Sequence, residues 1–303
     1  MPNRPQDREA ADPLLKNSSR RDFLALSAVA GMAAYRGLAA AAEPGVVEKD
    51  VLIKTADGNC DAAFLHPAAG THPGVLIWTD AFGLRPTFRD LGRRLAAQGY
   101  AVLVPNPFYR LARAPVYTEP EVSSFDFHNP TDMAKLRQLT SSPAAQGAAE
   151  SDAKAFVAFL DAQAPVDRAR KLGTQGYCMG GALMLRTAAA IADRIGAGAS
   201  FHGGGLVTDK PDSPHQLAPK IKGRMYIAIA SSDDQRQPDA KDELREAFSA
   251  ARVAAVVEVY PGTRHGWCVP DMPLQGGQPT YAKADAERAW NKLSDLYQAA
   301  LAS

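Results

Sequence analysis

Apolar and polar positions along the chain divide it into strand-like and helix-like segments. Short, largely apolar runs of strand length occur at 74–78, 100–104, 225–230 and 256–260, and 171–177 is also predicted as a strand. Helical spacing of apolar residues predicts helices over 86–98, 148–162, 181–193, 240–251 and 281–301. Upstream, strands over 51–55 and 61–65 flank a turn at Asp57 and Gly58, which predicts a β-hairpin. Apolar strands that alternate with helices predict an α/β fold, with a mostly parallel central sheet and helices on both faces.

The stretch 105–147 breaks this alternation because it holds many prolines and mixed signals. It also carries aromatic and imidazole side chains, at Tyr109, Tyr117, Phe125, Phe127 and His128. We expect this stretch to form a lid that lines a pocket at the edge of the sheet. A surface loop with a small core of its own is the alternative.

Composition and charge exclude several classes of function. The 303 residues are 46% hydrophobic and carry a formal charge of +1, which is ordinary for a globular protein. No clustered basic surface is indicated, so we expect no nucleic-acid partner. The three cysteines, Cys60, Cys178 and Cys268, are too widely spaced for a disulfide framework or a zinc site, and we expect no metal.

The N-terminus has the three parts of an export signal. Arg20 and Arg21 precede Phe23-Leu24, an apolar stretch extends from 25 to 38, and small residues fill 39–42. The paired arginines resemble the twin-arginine (Tat) signal. We therefore expect a signal peptide over 1–42, one domain over 43–303, the Tat export machinery as a partner, a periplasmic or secreted location, and no stable membrane span after cleavage. An uncleaved anchor, or an N-terminal helix of the fold, is the alternative.

The segment 176–181, Gly-Tyr-Cys-Met-Gly-Gly, lies between a predicted strand and a predicted helix. This is the pattern of a nucleophile elbow, with Cys178 in the place of the usual serine. Its glycines allow strand and helix to pass closely, and the helix N-terminus favours a thiolate. The backbone N–H of Met179 is expected to face a developing oxyanion. A glycine-rich turn with a buried cysteine is the alternative.

A base and an acid follow the nucleophile in the order that this fold requires. His265 comes after the predicted strand 256–260, and Asp233 comes after the strand 225–230. Since the carboxyl ends of parallel strands share one edge, these side chains should meet there. Asp234 is the alternative acid. His202, which follows another strand-like run, is the second choice for the base.

At these residues the chain resembles the dienelactone hydrolases (carboxymethylenebutenolidases), α/β-hydrolases that open lactone rings through an acyl-cysteine. The resemblance covers about 51–301 and also includes Asp80-Ala81-Phe82-Gly83, the segment 105–110 and the turn at 264–266. It implies a monomer without a cofactor.

The same resemblance implies roles for individual residues. Cys178 is the nucleophile, His265 the base and Asp233 its orienting acid. Asp80 stands beside the resting thiol where the family has a glutamate, and Ala81 offers a second oxyanion N–H. Substrate contacts are assigned to Arg110, Tyr109 and Trp267. Val269 stands where the family has a second arginine for the substrate carboxylate.

The sequence thus predicts a hydrolase that cleaves a small-molecule lactone or carboxylic ester through a Cys-His-Asp triad. A promiscuous carboxylesterase or a peptidase on the same site is one alternative. A non-catalytic binding protein of the cell envelope is another. A thiol redox role ranks below these because no Cys-x-x-Cys partner lies near Cys178.

Overall fold

The computed structural model describes residues 45–301, which contain an eight-stranded sheet. The strands are β1 (Val46–Thr55), β2 (Gly58–Pro67), β3 (Gly74–Trp78), β4 (Ala101–Pro105), β5 (Leu172–Tyr177), β6 (Ile195–Phe201), β7 (Arg224–Ala230) and β8 (Ala255–Tyr260). Six strands pair in parallel in the order β4-β3-β5-β6-β7-β8. At the β4 edge, β2 pairs with β4 and β1 pairs with β2, both in antiparallel orientation. The predicted α/β fold with a mostly parallel sheet is confirmed.

Eight helices lie within the described residues. They are α1 (Pro86–Ala97), α2 (Glu119–Ser123), α3 (Pro130–Ser141), α4 (Ala148–Ala162), α5 (Met179–Ala190), α6 (Ser231–Arg236), α7 (Ala240–Ala250) and α8 (Lys283–Leu301), and a 3₁₀ segment spans Pro214–Lys220. Helix α5 begins at Met179, directly after the elbow cysteine and earlier than its apolar spacing predicts. Helix α6 occupies a segment that the sequence assigned only to the end of a strand.

Side chains of the sheet alternate between two cores, one on each face. In β3, Leu76 and Trp78 pack in the core that includes Phe156 of α4. Val75 and Ile77 point to the opposite core, which α1 and α8 cover. Every residue of β3 is buried, so its continuous apolar run reflects burial on both faces.

The stretch 105–147 has a small core of its own and also lines a cavity, the two features that the sequence gave as alternatives. Helices α2 and α3 lie in it, and Phe82, Phe108, Tyr117 and Phe125 pack in a third, smaller core. Part of the same stretch also lines a cavity, described below. We call 105–147 the cap.

The proposed signal peptide, 1–42, lies outside the described residues, and export stays a prediction. Within 45–301, no helix has both the length and the hydropathy that a membrane crossing requires.

Candidate active site

Cys178 occupies a strained position between β5 and α5. Its φ is +53°, in the left-handed region that non-glycine residues rarely adopt. A Cβ on Gly176 would lie 1.9 Å from the carbonyl oxygen of Gly180, and one on Gly180 would lie 2.5 Å from that of Trp78. Only glycine fits at these two positions, because the backbones of strand and helix pass in contact. This local geometry agrees with a nucleophile elbow.

Neighbouring backbone groups hold Cys178 in that conformation. Its N–H donates to the carbonyl of Phe201 at 3.1 Å, and its own carbonyl accepts from Gly204 N–H at 3.0 Å. These bonds connect the elbow to the end of β6 and the loop after it. The side chain is partly exposed, unlike those of Cys60 and Cys268, which are buried.

His265 and Asp233 form a direct hydrogen bond at the same edge of the sheet. Nδ1 of His265 lies 2.8 Å from Oδ2 of Asp233, which sits in the first turn of α6. The backbone N–H of His265 donates to Oγ of Ser232 at 2.9 Å, and Nε2 of Gln275 donates to the carbonyl of His265 at 2.9 Å. The imidazole is therefore held by its ring and by its backbone.

The structure brings Asp233, and not Asp234, to the histidine. Asp234 pairs with Nζ of Lys241 at 2.8 Å instead. Since α6 begins at Ser231, the two neighbouring carboxylates point to different sides of a helical turn. Arg236 of the same helix forms an ion pair with the other oxygen of Asp233.

Charge coupling in this group favours an imidazolium. Burial lowers the pKa of His265, but the neighbouring Cys178 and the hydrogen bond to Asp233 raise it by more, to about 10. With Nδ1 engaged by Asp233, Nε2 is the atom left for the cysteine. The arrangement therefore favours a protonated imidazole beside the Cys178 side chain.

His202, the second choice for the base, packs behind His265. The ring centroids lie 4.9 Å apart at an interplanar angle of 70°. Its side chain is fully buried, and neither ring nitrogen has a hydrogen-bond partner among residues 45–301. Burial, together with the charge on His265, holds the pKa of His202 well below its usual value. The His202 ring is therefore neutral, and no hydrogen bond or ion pair joins it to a carboxylate of residues 45–301.

Ala81 and Met179 lie where two backbone donors can converge. Within the described part of the chain, neither N–H donates to another backbone group, whereas those of Phe82 and Gly83 both bond to Asp80. Because Gly180 contacts the carbonyls of Trp78 and Thr79, the start of α5 lies against the end of β3. The two predicted oxyanion donors therefore come from adjacent segments.

Asp80 differs from its predicted place beside the thiol. Both of its carboxylate oxygens accept from Arg85, at 2.7 and 2.9 Å. Arg85, whose side chain is 0% exposed, also binds both oxygens of Asp271. No hydrogen bond joins Asp80 to Cys178 among residues 45–301. The sequence pattern could not show this, because Arg85 and Asp271 are 186 positions apart.

Arg110 and Tyr109 also differ from their predicted role as substrate contacts. Arg110 binds the buried carboxylate of Asp152 through Nη1 and Nη2 at 2.8 and 2.7 Å, and it binds Asp57 through Nε and Nη2. The Tyr109 hydroxyl donates to Asp152 at 2.8 Å. Both side chains tie the start of the cap to α4 and the β-hairpin, and neither lines the cavity beside His265.

Trp267 is buried rather than exposed to a substrate. Its side chain is 0% exposed and stacks on Tyr260 at a centroid distance of 4.4 Å. Val269 and Cys268 are buried in the same core. The three residues after the Arg264-His265-Gly266 turn are therefore core residues that anchor the loop carrying His265.

A cavity of about 1360 Å³ opens in front of the Asp233–His265 pair. Its walls come from the cap, from the glycine segment 203–205, from α6 and from the loop 274–277. Of the five cap residues that the sequence singled out, Phe125, Phe127 and His128 reach it. The glycine segments and Gln275 were not predicted. The three consecutive glycines at 203–205 and the pair at 276–277 are the signal that could have indicated them.

Comparison with known proteins identifies the family. The dienelactone hydrolase family model matches residues 60–301. A Methylorubrum extorquens protein provisionally named carboxymethylenebutenolidase is 28% identical over 92% of both chains. A Rhodococcus opacus carboxymethylenebutenolidase is 25% identical over 80% of this chain and 87% of that one.

A solved structure gives the same result for the fold. The crystal structure of P91, a dienelactone hydrolase-like promiscuous phosphotriesterase from metagenomic libraries, superimposes with a TM-score of 0.68 at 23% identity, over 85% of this chain and 99% of that one. The chain belongs to the dienelactone hydrolase family and has an α/β-hydrolase fold.

Proposed function

We propose that this protein hydrolyses a carboxylic ester or lactone through Cys178, His265 and Asp233, by way of an acyl-cysteine. The observation that carries the proposal is the 2.8 Å bond between His265 and Asp233 at the edge where the strained elbow presents a partly exposed cysteine. Family membership and the carboxymethylenebutenolidase names of the relatives support the same class of substrate.

The first half of the reaction forms the acyl-enzyme. The thiolate of Cys178 attacks the carbonyl carbon, and a C–S bond forms while the carbonyl oxygen takes the negative charge. The intermediate collapses, the C–O bond breaks, and the leaving alkoxide takes the proton from the imidazolium of His265. In a lactone the alcohol remains attached to the acyl chain, so the ring opens without release of a fragment.

The second half releases the acid and restores the resting pair. Neutral His265 removes a proton from water, the resulting hydroxide attacks the thioester, and the C–S bond breaks. The thiolate leaves and the imidazolium remains, as at the start. Asp233 fixes the imidazole through Nδ1, so that Nε2 faces the cysteine in both halves.

The backbone N–H groups of Ala81 and Met179 are the oxyanion donors in this proposal. They act on charge that exists only in the intermediate, which is why such donors lower the barrier more than they strengthen substrate binding. In comparable sites one donor contributes about 3 kcal/mol.

The test uses Cys178→Ala with Cys268→Ala as the matched control. We expect Cys178→Ala to fold but to lose p-nitrophenyl acetate hydrolysis by on the order of 10⁴-fold, because no acyl-enzyme can form. Cys268→Ala should keep most of the activity, since that thiol is buried. Mass spectrometry of the quenched wild type should find an acetyl group on Cys178.

Two outcomes would overturn the proposal. One is full ester hydrolysis by Cys178→Ala. The other is a wild-type chain that turns over no ester and whose Cys178 does not react with iodoacetamide, which would favour the envelope binding protein instead.

A further inference from the structure

The lining of the active-site cavity is poor in positive charge. Within residues 45–301, Arg236 supplies the one guanidinium of the lining, and no lysine joins it. Two carboxylates, Asp126 and Asp233, face the same space. Arg236 is already paired with Asp233, and its side chain is 70% exposed, so it offers an incoming anion little attraction.

The arginines nearest to the predicted substrate positions are occupied elsewhere. Arg110 is shared between Asp152 and Asp57, and the fully buried Arg85 is shared between Asp80 and Asp271. Each of these guanidinium groups holds two carboxylates, so recruiting either of them for a substrate would leave a protein carboxylate without its partner. Removing one partner of a buried pair is strongly unfavourable.

Five apolar side chains line the cavity, and two of them are exposed to solvent. Phe127 and Leu274 are 38% and 59% exposed, and both line the cavity from different segments of the chain. Phe125 packs edge-on against Phe127 at 4.9 Å, and Met133 and Leu136 continue the apolar wall. Exposed apolar side chains gathered around one concave site are typical of a surface that binds an apolar ligand.

The cavity is also larger than a small lactone needs. Pockets for drug-sized ligands are about 300–1,000 Å³, and this one is about 1360 Å³. Part of the space exists because the lining includes glycines. A Cβ on Gly204, Gly276 or Gly277 would meet nothing within 4 Å.

We propose that the substrate of this site is an uncharged ester or lactone with a bulky apolar group, and not a small lactone that carries a carboxylate. The proposal rests on the hydrolase activity proposed above. The His265 imidazolium in the lining is already paired with Asp233, so a carboxylate in this cavity would lose its hydration opposite Asp126 and Asp233 without gaining an unpaired cation. An aryl or branched alkyl group would instead cover the wall formed by Phe125, Phe127 and Leu274.

The decisive experiment compares two matched pairs of substrates on the wild-type chain. p-Nitrophenyl pentanoate and mono-p-nitrophenyl glutarate have the same number of acyl carbons and differ in a terminal carboxylate. We expect kcat/KM for the pentanoate to exceed that for the glutarate by on the order of 100-fold. p-Nitrophenyl phenylacetate should exceed p-nitrophenyl acetate by about tenfold, since its ring contacts the apolar wall.

Gly204 offers a matched pair of variants that tests the role of charge. This residue lines the cavity, its N–H binds the Cys178 carbonyl, and its backbone does not need a positive φ. Gly204→Lys places an ammonium near the nucleophile, and Gly204→Met places a side chain of similar length without charge. We expect the lysine variant to raise the glutarate-to-pentanoate ratio about tenfold and the methionine variant to leave it within about twofold.

The outcomes separate the substrate class from the activity itself. Equal or faster hydrolysis of the glutarate by the wild type would overturn the substrate class while leaving the hydrolase intact. An equal rise of the ratio in both Gly204 variants would also overturn it, because length and not charge would then control selectivity. Failure to hydrolyse any of the four esters would overturn the activity on which the inference rests, and the inference with it.

Discussion

Two carboxylate clusters lie at the carboxyl ends of the strands, and they differ in how completely they are paired. In one, Arg85 is fully buried and binds both oxygens of Asp80 and of Asp271. In the other, Asp233 binds Nδ1 of His265, whose side chain is 22% exposed and whose Nε2 remains for Cys178.

The difference shows which cluster can act on a substrate. Every N–H group of the Arg85 guanidinium is hydrogen-bonded within the protein. The Arg85 cluster, formed by Arg85, Asp80 and Asp271, can therefore only join segments of the chain. It joins the end of β3 to the loop after β8, across 186 positions of sequence. The His265 cluster keeps one reactive nitrogen, one thiol and an open cavity. The sequence predicted Asp233 as the orienting acid, and the family resemblance implied that Asp80 lies beside the thiol. In the structure, Asp233 pairs with His265 and Asp80 pairs with Arg85.

The largest expected effect concerns the two adjacent acids of α6. Asp233→Asn should reduce kcat/KM for p-nitrophenyl acetate by on the order of 10³- to 10⁴-fold, because the imidazole would lose its orientation and its charge support. Asp234→Asn, the matched control, should lower it less than about threefold, since Asp234 pairs with Lys241. Comparable losses in the two variants would contradict the assignment.

The next effect is on stability and comes from the Arg85 cluster. Arg85→Met leaves Asp80, which is 1% exposed, without its cation, so the free energy of unfolding should fall by about 3–5 kcal/mol. The double variant Asp80→Asn, Arg85→Met should recover part of that loss, because the fully buried position 80 then carries no charge and Asp271, which is 23% exposed, stays partly hydrated. Urea denaturation of the three chains measures both values. A single variant as stable as the wild type would show that the cluster is not structural.

The smallest effect is a pH dependence of stability. Since the folded-state pKa of His265 is raised to about 10, its contribution to stability is complete below its unfolded pKa of 6.5 and is lost as the pH rises through about 10. The free energy of unfolding of the wild type should therefore fall between about pH 7 and about pH 10 relative to that of His265→Gln. Parallel pH curves for the two proteins would contradict the raised pKa of His265.

Local patterns were sufficient for most of the fold. Continuous apolar runs predicted β3, β4 and β7, because burial on both faces leaves almost no polar positions, and the valine-rich run 256–260 predicted the edge strand β8. Strand β6, Ile195–Phe201, was noted only as a strand-like run before His202. Its small residues suit the tertiary contacts, since a Cβ on Gly198 would lie 2.7 Å from Met184 Sδ and 2.8 Å from Met225 Sδ. Hydrophobic periodicity cannot detect a strand made mostly of glycine, alanine and serine.

The sequence by itself determined the α/β class, the elbow at Cys178 and the order of nucleophile, acid and histidine, because each depends on residues near one another or on strand ends that share an edge. Tertiary structure alone decided that Asp80 pairs with Arg85, that Arg110 pairs with Asp152, and that Trp267 is buried in the core. An ion pair forms with whichever opposite charge the fold brings within about 4 Å, and spacing along the chain does not specify that distance. The charge and volume of the cavity, and with them the substrate class we propose, follow from those pairings.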